Sequence, residues 1–166
     1  TGTWQGGTKD FANTNQIALT PGSTAKDLGF AWYSKTKGTP AVMVWKDGSK
    51  AGAQIVKGTA TDISATNWQQ EAYAASNKVS INGFFEPNTK YVYQYTDNYS
   101  DNSDTVWSDE YTYTTHATDT FSVILTGDPQ IGASGSKSDK EANDMSVAQD
   151  AYNWNKTMQK AMEIDP

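Results

Sequence analysis

The chain has 166 residues, a mean hydropathy of -0.70 and a net charge of -6, enough length for one good domain and a small appendage. All 13 basic residues are lysine, so there is neither the basic stripe of a nucleic-acid binder nor the guanidinium suited to clamping phosphate. Cysteine is absent, which excludes a disulfide framework and thiolate metal sites, and no apolar run is long enough to span a membrane.

Six Trp and nine Tyr, together with many Thr and Val, favour strands over disorder. Residues 1–15 are Gly- and Thr-rich and read as an extended lead-in that Trp4 or Phe11 could anchor. Short strands follow, separated by turn residues. Gln16–Thr20 stops at Pro21-Gly22, and Gly29–Ser34 puts Phe30 and Trp32 on one face with Ala31 and Tyr33 on the other. Ala41–Trp45 ends at Asp47-Gly48, a hairpin-turn pair, and Gln54–Ala60 is a weaker strand. Glu71–Asn82 carries Val79 and Ile81 at period two; Lys90–Thr96 aligns Tyr91, Tyr93 and Tyr95; Trp107–Thr115 aligns Tyr111 and Tyr113. Short strands at this spacing predict a β-sandwich.

The pattern changes at Thr120. Phe121–Leu125 is a short, nearly continuous apolar run of the kind that forms a strand buried on both faces. A Gly- and Ser-rich loop spans 127–139, and from Asp144, a candidate N-cap, apolar residues recur at three- and four-residue steps through Ala148, Ala151, Tyr152, Met158 and Met162. The boundaries expected from this reading are a lead-in at 1–15, a sandwich at 16–118 and a second segment at 119–166.

Two stretches resemble known families. Residues 79–95 (VSINGFFEPNTKYVYQY) set a hydrophobic residue, Pro87 two positions later and Tyr91 four after that. This resembles the corner of fibronectin type III modules, in which a buried Tyr hydroxyl ties the turn by a backbone hydrogen bond. With Trp32 and residues 106–115 (VWSDEYTYTT), it is also similar to the N-terminal domain of purple acid phosphatases. Residues 121–132 (FSVILTGDPQIG) resemble the first motif of calcineurin-like metallophosphoesterases, which delivers an Asp from the end of a buried strand.

The resemblance implies a fibronectin type III-like (immunoglobulin-like) β-sandwich followed by the opening strand, loop and helix of an α/β metallophosphoesterase domain. It implies Asp128 as a ligand of a dinuclear Fe, Zn or Mn centre in the full-length protein, acting on a phosphoester substrate. Gln130 stands where the family has His and is a weaker donor. The remaining family ligands come from motifs further downstream, so no metal centre and no catalysis are expected of these 166 residues alone.

Other readings are blander. His116 reads as an exposed linker residue, and Asp97, Asp101, Asp104 and Asp109 as a solvated hairpin loop lacking the Gly and terminal Glu of a calcium loop. Trp45, Trp68 or Trp107 could stack on a sugar ring, which leaves a non-catalytic adhesion or carbohydrate-binding module as the alternative function. The Thr/Asn/Ser/Gly-rich acidic composition suggests a bacterial extracellular or wall-associated setting. The apolar strand and helix suggest self-association through residues 120–163.

Overall fold

In the computed structural model, the residues described are 17–66, 72–102, 104–119, 122–133 and 140–164, with the side chains of 65, 66 and 140–144 excepted. Trp4, Phe11 and Trp68 lie outside them. The order of elements is β1 (Ala18–Pro21), β2 (Leu28–Ser34), β3 (Ala41–Lys46), a 3-10 turn (Lys50–Gly52), β4 (Gln54–Lys57), β5 (Thr59–Thr66), β6 (Ala72–Ile81), β7 (Lys90–Thr96), β8 (Tyr111–Thr114) and α1 (Lys140–Ile164). The strands form two antiparallel four-stranded sheets, β1-β2-β6-β5 and β4-β3-β7-β8. This is the strand order of immunoglobulin-type sandwiches with one additional edge strand. The chain divides into compact units, one of them Thr14–Thr120, with Phe121–Pro166 in the other.

Alternation builds the core. Phe30 and Trp32 of β2, Val42 and Val44 of β3, Val79 and Ile81 of β6, and Tyr91, Tyr93 and Tyr95 of β7 are all buried in one cluster. Tyr33, on the other face of β2, is 57% exposed. Rings interlock across the two sheets: Phe30 meets Tyr93 edge-on at 5.3 Å, and Trp32 meets Tyr95 at 5.0 Å. Such pairs add to the burial energy of the rings themselves.

The segment predicted as one weak strand at 54–60 is two strands in different sheets. β4 pairs with β3, β5 pairs with β6, and the switch is at Gly58. Its N–H donates to the Pro40 carbonyl (2.8 Å), and a Cβ there would lie 2.0 Å from the Lys78 carbonyl oxygen. Only glycine lets the backbones approach this closely.

The C-terminal segment departs from expectation twice. Ser122–Leu125 forms no strand, and Val123 and Leu125 are 77% and 95% exposed. A strand apolar on both faces requires pairing neighbours and cover on each side, and no described residue pairs with this run. The helix begins at Lys140, so Asp144 lies inside it rather than at its N-cap. Tyr152, Met158 and Ala161 are half-buried along one stripe, whereas Met162 is 78% exposed. No helix among the described residues is long and apolar enough to cross a membrane.

Asp27 ties together two turns at one end of the sandwich. Its carboxylate accepts from Gly83 N–H (2.8 Å), from Thr24 N–H (2.8 Å) and from the Thr24 hydroxyl (2.8 Å). The Gly83 N–H foremost, then the Thr24 hydroxyl, holds its pKa below the ordinary carboxylate value. A depressed pKa stabilises the fold above the unfolded value of about 4, and that contribution is lost as pH falls through the folded value. Asp27→Ala is therefore expected to lower the melting temperature at pH 7, with the gap to wild type narrowing below about pH 4. A gap that stays constant from neutral to acid pH in thermal melts would show that the Asp27 charge contributes nothing.

Candidate functional site

The corner at Tyr91 is built from both sides. β6 ends at Ile81, Gly83 takes φ 71°, and Phe84-Phe85 turns the chain back toward β7. Tyr91 is fully buried, and its hydroxyl accepts the Glu86 N–H at 2.8 Å. Pro87, next in sequence, uses its carbonyl to accept the Thr89 hydroxyl (2.8 Å). Thr115, just past β8, donates its hydroxyl to the Glu86 carbonyl and accepts the Thr89 N–H (2.9 Å). Thr115 drew no attention as a sequence feature; its role depends on the arrival of the last strand beside the corner. Tyr91→Phe removes the acceptor for a partly buried N–H and is expected to cost about 1–2 kcal/mol in denaturant unfolding. An unchanged midpoint would show that the hydroxyl does not hold the corner.

At the other end of β2 and β7, Trp32 donates its indole N–H to Asp97 Oδ1 at 2.6 Å. Asp97 was expected only as one of four solvated carboxylates. The other three go separate ways. Asp101 pairs with Lys57 (3.0 Å), the Asp104 N–H donates to Asn102 Oδ1 (3.2 Å), and the Asp109 carbonyl accepts the Ser108 hydroxyl (2.8 Å). Among the described residues, no three acidic, His or Cys side chains gather where a cation could be held. Trp45 is 3% exposed with the Lys50 ammonium 4.6 Å above its ring, so it offers no sugar platform; Trp107 leans on Tyr99 at 6.0 Å. His116 is exposed, and its carbonyl accepts from Asn88 N–H (3.4 Å).

The Asp128 loop is a tight turn held against α1. Asp128 Oδ1 accepts the Gln130 N–H (3.0 Å), Gln130 takes φ 45°, and the Ala133 N–H returns to the Gln130 carbonyl (2.9 Å). An Asp side chain that bonds to the backbone two residues on favours such a turn. Gly132, at φ 95°, donates its N–H to Asp150 Oδ2 on α1 (2.9 Å). Asp150 was not singled out as a sequence feature, because a helical carboxylate 22 positions from Asp128 carries no local signal. Asp128 and Gln130 are both exposed, and the turn bond engages Oδ1 of the Asp128 carboxylate.

That single carboxylate is of the right kind for a hard divalent or trivalent ion. One carboxylate and one neutral amide do not make a two-metal site, however, and among the described residues no group of three or more His, Cys, Asp or Glu could hold a metal. The donors described do not fit a dinuclear centre, and no reaction step is assigned to one.

No curated protein matches the chain. The sensor domain of the anti-sigma factor RsgI4 of Pseudobacteroides cellulosolvens is similar at 18% identity and a TM-score of 0.38, covering 67% of this chain and 98% of that one. The family described as "Purple acid Phosphatase, N-terminal domain" matches residues 14–115, the span that contains the sandwich core, the Tyr91 corner and the Trp32–Asp97 bond. On that match, the chain belongs to the purple acid phosphatase N-terminal domain family.

Proposed function

We propose that the chain is the accessory N-terminal domain of a phosphoester hydrolase, joined to the opening of its catalytic domain. The observation that carries this reading is the family match over residues 14–115, and the Gly127-Asp128-Pro129-Gln130 turn that follows it in tandem adds support. In the complete protein Asp128 would be one ligand among several of a metal centre, with Gln130 beside it as a weaker or indirect contact. The sandwich would contribute stability and placement rather than chemistry. The Thr/Asn/Ser/Gly-rich, acidic composition supports an extracellular or wall-attached bacterial setting.

The test is a side-by-side assay with p-nitrophenyl phosphate in the presence of Fe, Mn or Zn. The 166-residue chain is expected to show no hydrolysis above that of the metal salt alone, since assisted hydrolysis needs a full ligand set. The complete protein is expected to turn over. Turnover by the short chain would mean that it holds a site other than the one proposed; a complete protein without phosphoesterase activity would overturn the reading.

A further inference from the structure

Two clefts meet at the end of the sandwich opposite the Tyr91 corner. One, of about 400 Å³, is lined in part by Tyr33, Lys35, Tyr73, Tyr95 and Asp97. The second, of about 370 Å³, shares Tyr95 and Asp97 and adds Trp107 and Asp109. Each falls in the size range of small-molecule sites. All these residues come from Thr14–Thr120, so the groove belongs to one compact unit.

The lining has a definite chemistry. Tyr33, 57% exposed, lies 5.7 Å from the half-buried Tyr73, forming an aromatic surface that the core does not use. Tyr95 packs on Trp32 at 5.0 Å and stacks with Tyr111 at 6.1 Å. Burial foremost raises the Tyr95 pKa to about 12, so its phenol keeps its proton. Lys35 opposes a cationic ligand, and Asp97 and Asp109 oppose an anionic one. What remains is a neutral ligand rich in hydroxyls, with flat C–H faces for the rings and donors and acceptors for the polar groups.

The groove is also held in place. The Trp32 indole fixes Asp97. Ser34 is buried at its floor, donating to the Thr36 carbonyl (2.6 Å) and accepting from Asn77 Nδ2 (2.9 Å). The Tyr99 N–H donates to the Thr39 carbonyl (2.7 Å), and a Cβ at Gly38 would lie 2.5 Å from the Asp97 carbonyl oxygen, so two loops pack backbone to backbone. A groove rigid before binding loses less entropy on binding.

We propose that this end of the sandwich is a glycan-binding groove that takes a neutral oligosaccharide. Tyr33, the exposed ring, stacks on the apolar face of one sugar with Tyr73 tilted against it at 42°, and Asp97, at the junction of the clefts, accepts hydroxyl hydrogen bonds. The groove makes the sandwich a module that holds its protein on a polysaccharide.

Cellohexaose and chitohexaose, titrated into the 166-residue chain by calorimetry, test the assignment. Saturable binding of at least one is expected, and Tyr33→Ala with Tyr73→Ala is expected to weaken it by about tenfold or more. Should the double variant unfold, Tyr33→Ala alone, at an exposed position, gives the same readout. No saturable binding of either sugar overturns the proposal, as does equal binding by wild type and variants. Saturable binding of choline chloride with neither sugar bound would make the groove a cation site and overturn it equally.

Discussion

Phe85→Ala is expected to cost the sandwich about 3–5 kcal/mol, a large share of the 5–15 kcal/mol typical of a domain. Phe85 is 1% exposed although it lies in the connection between β6 and β7 rather than in a strand. Its ring meets Tyr91 at 4.9 Å, Phe84 at 5.4 Å and Tyr113 at 6.1 Å, so it plugs the end of the core where the corner closes. Truncation removes the ring's burial and leaves a cavity that three rigid neighbours cannot collapse into. In a domain of this size the loss corresponds to a fall in melting temperature of more than about 10 °C. It exceeds the effect expected for Tyr91→Phe, which removes one hydrogen bond and no volume. A loss below about 1 kcal/mol in urea unfolding would mean that the corner is not part of the core.

Much of the sandwich is legible in the sequence because half-buried strands write their orientation at period two. Phe30 and Trp32, and Tyr91, Tyr93 and Tyr95, point inward as alternation predicts. The same rule fails at Trp45. Alternation sets it on the face opposite Val42 and Val44, yet it is buried, with the Lys50 ammonium 4.6 Å from its ring. The sheet switch at Gly58 is equally invisible, since its cause is the Lys78 backbone 20 residues away. The Trp32–Asp97 bond spans 65 residues and has no local signature.

At the other end of the chain, composition misleads in a different way. Residues 121–125 have the make-up of a buried strand, but a strand is a relation between segments, and none of the described residues supplies the partner. The Asp128 loop was legible as a motif, while the geometry that holds it was not. The Gln130 backbone and the Asp150 carboxylate both depend on φ values and a helix packing that no spacing encodes. The groove at Tyr33 and Tyr73 carries no local signal: Tyr33 points outward from β2, whereas Tyr73 shares the inward parity of Val79 and Ile81 in β6, and only the fold brings the two rings to 5.7 Å.

The proposed place of this chain in a phosphoester hydrolase turns on Asp128, and Asp128→Asn in the complete protein is the substitution that isolates it. The change keeps the size of the side chain and an oxygen for the Gln130 N–H (3.0 Å), so the turn and the sandwich are expected to keep their melting behaviour. The charge is lost. Groups that merely support metal ligands typically cost about 10–100-fold when removed, so a direct ligand is expected to cost about 100-fold or more. The measurement is kcat/KM for p-nitrophenyl phosphate together with metal content, for wild type and Asp128→Asn prepared alike. The account predicts a drop of that size with less metal bound and an unchanged melting temperature; wild-type turnover and metal content in the variant would contradict it.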